Sequence, residues 1–116
     1  MMTFIYYPKC TTCQKAKKWL DDNHIEYTPR DIKLDPPSLQ ELKDFHAKSG
    51  LPLKKFFNTS GMLYRSLNLK DKLPSMTESE CYELLASDGM LVKRPLFITE
   101  TAVLVGFKEA EWNCLK

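Results

Sequence analysis

The feature that most constrains this chain is an order of events near its start: a β-prone run, a proline, two cysteines three residues apart, then a lysine-rich amphipathic stretch, "FIYYPKCTTCQKAKKWL". Phe4 to Tyr7 is aromatic and β-branched and is stopped by Pro8, which predicts a short first strand. Cys13, Ala16 and Leu20, with Trp19 alongside, then recur at helical spacing, while Gln14, Lys15, Lys17, Lys18, Asp21 and Asp22 take the polar positions. The helix ends near Asn23 and His24. Ile25 to Ile32 reads as a second strand, in which Pro29 demands an edge or a bulge because it has no N–H to give to a ladder. Strand, helix, strand is a βαβ unit, and a right-handed crossover sets its strands parallel.

The middle of the chain reads as all-helical over residues 36–89. Ser38 with Glu41 three residues on has the spacing of a capping box, Leu39, Leu42 and Phe45 mark a buried face, and Gly50 follows the last turn. Leu53, Phe56 and Phe57, then Leu63, Tyr64 and Leu67, predict two shorter helical pieces broken by Asn58 to Gly61. Thr77 with Glu80 repeats the capping box, opening a helix through Leu84 and Leu85 that stops at Gly89. Leu96 to Thr99 and Ala102 to Val105 return to strand, joined by Glu100 and Thr101 at tight-hairpin spacing, although these are not preferred turn residues. A short final helix carries Phe107, Trp112 and Leu115. The order is βαβ, insertion, ββα, an α/β arrangement with a small mixed sheet covered by helices.

At 116 residues the chain fits one domain whose core needs no disulfide. Its formal charge of +2 is too small to argue for direct nucleic-acid binding, so any electrostatic function is local. The apolar stretches are too short to span a membrane, and the N-terminus has no secretion signal, which predicts a cytoplasmic protein. In that compartment Cys10, Cys13, Cys81 and Cys114 stay reduced by default, and a close pair points to catalysis, redox sensing or metal.

A cysteine where a strand meets a helix N-terminus gains from unpaired N–H groups and from the positive end of the helix dipole, both of which favour the thiolate. Cys10 holds that position. Bringing its pKa from about 8.5 to a majority thiolate at pH 7 takes about 2.7 kcal/mol. The dipole supplies about 0.3–1 kcal/mol and at most about 2, leaving the rest to N–H groups and to cations such as Lys9 and Lys15. Cys13, one turn further in, is sheltered yet near enough to attack a mixed disulfide on Cys10. The pair therefore reads as a redox centre ahead of two packed thiols. Half of a zinc site is the weakest alternative, since no second close pair of cysteines or histidines accompanies it. Cys81 reads as core, Cys114 as a loose thiol, and His24 and His46 as solvent-facing.

With "YYPKCTTCQKAKKWL", the helical insertion between second and third strands, and Lys93-Arg94-Pro95-Leu96 leading into a strand, nearly the whole chain resembles the arsenate reductase (ArsC)/Spx family of thioredoxin-fold proteins. The resemblance implies a single domain over residues 1–116, with a four-stranded thioredoxin-like core at about 1–35 and 90–116 and an insertion at about 36–89. It implies that Pro95 is cis and faces the cysteines, bringing Arg94 near Cys10, where a guanidinium would both lower the thiol pKa and hold an oxyanion or carboxylate. Cys10, Cys13 and Arg94 are then the catalytic candidates, with Lys9, Thr11, Thr12, Lys15 and Pro95 as substrate-binding candidates.

Arsenate reductases of the family use further arginines, and their positions fall near Asn58 and Gly106, with Arg65 off register. On that reading Arg94 and backbone N–H groups alone would hold an oxyanion, and weakly. Two functions follow as expectations. One is an arsenate reductase-like thiol–disulfide oxidoreductase, a monomer with no bound cofactor, acting on a small oxyanion or a protein thiol or disulfide and reduced by glutathione, glutaredoxin or thioredoxin. The other is a Spx-like redox sensor that contacts RNA polymerase through the C-terminal domain of its α-subunit. The CxxC fits the Spx branch, while the chain ends soon after its final helix, without the charged C-terminal segment of Spx.

Overall fold

The computed structural model describes residues 2–116. Its four strands, β1 (Thr3–Tyr6), β2 (Thr28–Asp31), β3 (Leu96–Ile98) and β4 (Val103–Val105), form one sheet in the order β2-β1-β3-β4. β1 runs parallel to β2, with Thr3 opposite Thr28, and antiparallel to β3, with Ile5 opposite Leu96. β2 is an edge strand, which accommodates Pro29. It covers only the second half of the predicted run. Ile25 is taken up earlier by a bond from its N–H to the carbonyl of Leu20, 3.0 Å.

Because side chains alternate along a strand, β1 sends Phe4 and Ile5 into different cores. On one face Phe4 and Phe97 meet Ala16 and Leu20 of α1 (Thr11–Asp22) and Trp112 of α6 (Glu109–Trp112). Trp112 is fully buried there, edge-on to Phe4 at 6.3 Å and to Phe107 at 5.1 Å, and its indole N–H donates to the carbonyl of Gly106 at 3.0 Å. An indole in a core needs such a partner. On the other face Ile5, Leu96 and Ile98 pack against the helical insertion through Leu42, Phe45 and Leu85. The sheet is thus sandwiched between the helix that follows the cysteine pair and the insertion.

The insertion comprises α2 (Leu39–Ser49), α3 (Met62–Ser66), α4 (Leu69–Lys72) and α5 (Glu78–Ser87), with short 3-10 turns between them. Both capping boxes form: the Ser38 side chain accepts from Glu41 N–H and the Thr77 side chain from Glu80 N–H, with each glutamate reaching back. Gly50 caps α2 in the left-handed region, φ 68°. On the same helix, Arg30 of β2 holds Glu41 through two bonds of 2.6 and 2.9 Å, tying insertion to sheet.

Several expectations are corrected. Leu39 is exposed, because at 100° per residue an i, i+3, i+6 stripe drifts about 120° round the axis between Leu39 and Phe45. Leu67 likewise lies at the surface, just past α3. α5 stops at Ser87, and Gly89 serves a different purpose: a Cβ there would lie 2.1 Å from the carbonyl oxygen of Ile32, so only glycine allows the insertion to return against the end of β2. The β3–β4 connection forms without preferred turn residues because the Thr99 hydroxyl accepts from the N–H groups of Thr101 and Ala102, at 3.3 and 2.9 Å. His46 is half-buried rather than solvent-facing, its Nδ1 2.6 Å from the Tyr82 hydroxyl and its ring edge-on to Phe56.

Candidate active site

Cys10 is the N-cap of α1, with extended backbone (φ −86°, ψ 122°) that reverses the chain out of β1. Its N–H donates to the carbonyl of Tyr7 and its carbonyl accepts from Gln14, both at 3.0 Å. The resting sulfur makes no capping hydrogen bond, yet it sits over the first turn. Burial opposes ionisation of Cys10, but the Cys13 N–H and thiol, the Thr12 N–H and the Arg94 charge outweigh it, leaving the pKa below the ordinary value. Cys13 is the opposite case. It is 1% exposed, and burial foremost pushes its pKa up to about 12, with the neighbouring Cys10 charge adding to the shift and the Tyr7 N–H, 3.4 Å from its sulfur, opposing it. The two thiols therefore separate into a half-buried one whose pKa is lowered and a buried one whose pKa is raised.

Arg94 reaches this pair from the far end of the chain. The Arg94–Pro95 peptide is cis, Pro95 is buried, and its carbonyl accepts from Gly106 N–H at 2.8 Å, which fixes the start of β3 against the end of β4. The guanidinium lies over the Tyr7 ring, 5.2 Å from its centroid, and donates through Nη1 to the Met90 carbonyl at 3.3 Å. Its Nε is buried without a partner. An unpaired buried donor is costly, and here it leaves hydrogen-bonding capacity beside the cysteines.

Cys10 and Arg94 open onto a cavity of about 1210 Å³ shared by the core and the insertion. Thr12, Asn58 and Gly106 also line it, so the two positions where family arginines were expected do converge on the site, carrying no charge. The charge comes from elsewhere. Lys54, Lys55, Lys70, Lys93 and Lys108 line the same cavity, so Arg94 is not its sole cation. Lys93 crosses directly over Gly106, where a Cβ would come within 3.3 Å of its Cε. Lys9, Thr11 and Lys15 are exposed, Pro95 is buried, and none of the four lines the cavity. Sequence reasoning missed the lysines because they come from four separate segments; only Lys93, next to Arg94, carried a visible signal. Cys81 is buried in α5 and Cys114 is exposed. Among the described residues no three His, Cys, Asp or Glu side chains are grouped to hold a metal ion, and no helix is long and apolar enough to cross a membrane.

A dithiol at a strand-to-helix junction, a cis-proline at the head of β3 and a mixed four-stranded sheet define a thioredoxin-like protein with a helical insertion. The ArsC family model matches residues 5–115, and the chain belongs to the ArsC family. The crystal structure of an ArsC family related protein from Bacteroides fragilis superposes with a TM-score of 0.98 at 60% identity, covering 99% of this chain and 97% of that one. The uncharacterized protein YusI of Bacillus subtilis is 60% identical over 112 residues, 97% of this chain and 95% of the relative. The global transcriptional regulator Spx 1 of Bacillus cereus is 32% identical over 111 residues, 96% of this chain and 83% of the relative.

Proposed function

We propose that this chain is a thiol–disulfide oxidoreductase of the arsenate reductase family, working through Cys10 and Cys13. The observation that carries the reading is the division of the two thiols: Cys10 at the helix N-cap, open to the cavity and with its pKa lowered, and Cys13 one turn in, 1% exposed and with its pKa raised. The Cys10 thiolate attacks one sulfur of a disulfide, forming a mixed disulfide and expelling the other sulfur as thiolate. Cys13 then loses its proton and attacks Cys10, releasing the second thiolate and leaving a Cys10–Cys13 disulfide. The substrate gains two electrons and the protein loses two. Arg94 stabilises negative charge at both steps, and Thr12 shapes the approach to Cys10. Lys9, Thr11 and Lys15 flank the two cysteines in sequence and, like Pro95, do not line the cavity.

Return to the dithiol falls to glutathione, glutaredoxin or thioredoxin in the cytoplasm, with the chain acting as a monomer. The test is single-turnover oxidation of reduced protein by hydroxyethyl disulfide, and in parallel by arsenate, followed by intact-mass and peptide-mass analysis. The reading predicts a Cys10–Cys13 disulfide that forms only when Cys10 is present. Failure of both oxidants to produce it overturns the reading.

A second reading is favoured by the match to Spx 1 and by the same CxxC. On it, oxidation of the pair changes contact with RNA polymerase, at the C-terminal domain of the α-subunit. A pull-down with that domain, using oxidised and reduced protein, tests it, and no binding in either state rejects it.

A further inference from the structure

The cavity at Cys10 is larger, more basic and more apolar at its rim than reduction of a small oxyanion requires. An ion of four oxygens fills on the order of 120 Å³ at about 30 Å³ per water-sized group, against a space of about 1210 Å³. Six of the chain's 17 basic residues line that space, against one of its 15 acidic ones, Glu111, so the rest of a chain with a net charge of +2 is on balance acidic. Charge is therefore sorted onto the wall around the nucleophile. Such clustering concentrates field in a cleft.

The lysines come from distinct elements. Lys54 and Lys55 lie on a 3-10 turn of the insertion, Lys70 on α4, Lys93 on the segment before the cis peptide, and Lys108 just ahead of α6. Of the five, Lys108 has an acidic neighbour, Glu111, at 3.9 Å. Alongside the lysines, Leu51 and Met62 also line the cavity and remain exposed, Met62 at 87%. An exposed methionine beside a groove suits an adaptable peptide contact.

We infer that the substrate of this dithiol is a disulfide carried by an acidic polypeptide segment, whose carboxylates meet the lysine wall while its apolar side chains rest on Leu51 and Met62. This rests on the thiol–disulfide reading above and names the substrate class of that site. Carboxylates flanking the disulfide would meet the basic side chains that line the cavity onto which Cys10 opens. Each thiolate released by the two exchange steps leaves within a positive field. Lys93 adjoins Arg94 in sequence and passes over Gly106, where an added Cβ would lie 3.3 Å from its Cε.

The experiment uses the full reduced chain and four oxidants in single-turnover stopped flow: hydroxyethyl disulfide, glutathione disulfide, and disulfide-bonded peptides of one length and apolar content with acidic or with basic flanks. The acidic peptide is expected to oxidise the dithiol at least about tenfold faster than the basic one at low salt, with the gap closing as salt rises. Replacing Lys54→Gln and Lys55→Gln together is expected to collapse the acidic-to-basic ratio severalfold. Lys17→Gln with Lys18→Gln, the same charge change on the outer face of α1, leaves the ratio unchanged. Equal rates for both peptides, with hydroxyethyl disulfide still reacting, overturn the inference and leave the oxidoreductase reading standing. Glutathione disulfide matching the acidic peptide overturns the polypeptide in favour of a small carboxylate disulfide. No reaction with any oxidant removes the oxidoreductase reading, and the inference with it.

Discussion

The guanidinium of Arg94 lies over the ring of Tyr7, 5.2 Å from its centroid, and the backbone N–H of the same Tyr7 points at the Cys13 sulfur, 3.4 Å away. One residue at the end of β1 therefore touches both the cation and the buried thiol. A guanidinium over an aromatic face is held by the ring quadrupole. The bond to the Met90 carbonyl holds another side of it, and among the described residues no acidic side chain pairs with this charge. Tyr7 acts as a positioning residue for a charge that belongs to the cysteines.

Replacing that charge should be visible directly in thiol chemistry. Arg94→Met removes one of the influences that lower the Cys10 pKa, though not the largest, since the Cys13 groups precede it. With that influence gone less of Cys10 is thiolate, so its alkylation at pH 7 is predicted to slow modestly. The pH midpoint of labelling should rise, and Arg94→Lys should restore part of the loss. Iodoacetamide labelling followed by peptide mass analysis checks this, and an unchanged midpoint would show that Arg94 does not act on the sulfur.

The buried thiol should be needed for the second step only. With Cys13→Ser, attack by Cys10 still occurs but resolution cannot, so a mixed disulfide on Cys10 is predicted to accumulate and persist. Cys10→Ser should give neither adduct nor disulfide. Intact-mass measurement after mild oxidant distinguishes these outcomes, and an adduct found on Cys13 would reverse the assignment.

Acid should loosen the join between sheet and insertion. The Arg30 guanidinium, bonded twice to Glu41, holds that carboxyl at about 2, well under the ordinary 4.5. A folded-state value below the unfolded one stabilises the fold above the unfolded pKa, and the benefit is lost as pH falls through the folded pKa. Glu41→Gln keeps a capping-box side chain and removes the charge. It is predicted to cost about 1–2 kcal/mol at pH 7, the carboxylate being partly exposed. The difference from wild type should shrink between about pH 4.5 and pH 2. Urea midpoints across that range provide the check; a difference independent of pH would contradict the pairing.

Gly89 should tolerate no side chain. A Cβ there would meet the Ile32 carbonyl oxygen, a backbone atom, at 2.1 Å, so Gly89→Ala is predicted to destabilise by about 2–3 kcal/mol. Gly50→Ala provides the contrast: nothing lies within 4 Å, and its cost of about 1 kcal/mol comes from φ 68° alone. Denaturant unfolding of the two variants should rank them in that order.

Much of this fold was legible because its signals are local. The two capping boxes, the apolar spacing of Cys13, Ala16 and Leu20, and the edge placement of Pro29 follow from residues within a few positions of one another. The resemblance to the family supplied what local chemistry could not, namely that Pro95 is cis and that Arg94 comes back to the cysteines. What escaped depends on distant approach. Gly89 looks like a helix stop until Ile32 arrives beside it, and His46 looks solvated until Tyr82 and Phe56 enclose it. The lysine wall is the fullest case, since no periodicity links residues 54, 70, 93 and 108, and only the fold gathers them.

The most direct test of the account is the pH dependence of labelling at the two cysteines, measured separately by quantitative alkylation and peptide mass analysis from about pH 4 to about pH 10. The account predicts that Cys10 labels with a midpoint clearly below that of an ordinary thiol, about 8.5, while Cys13 stays unlabelled throughout the range. Cys10 titrating at the ordinary value, or Cys13 labelling alongside it, would contradict the account.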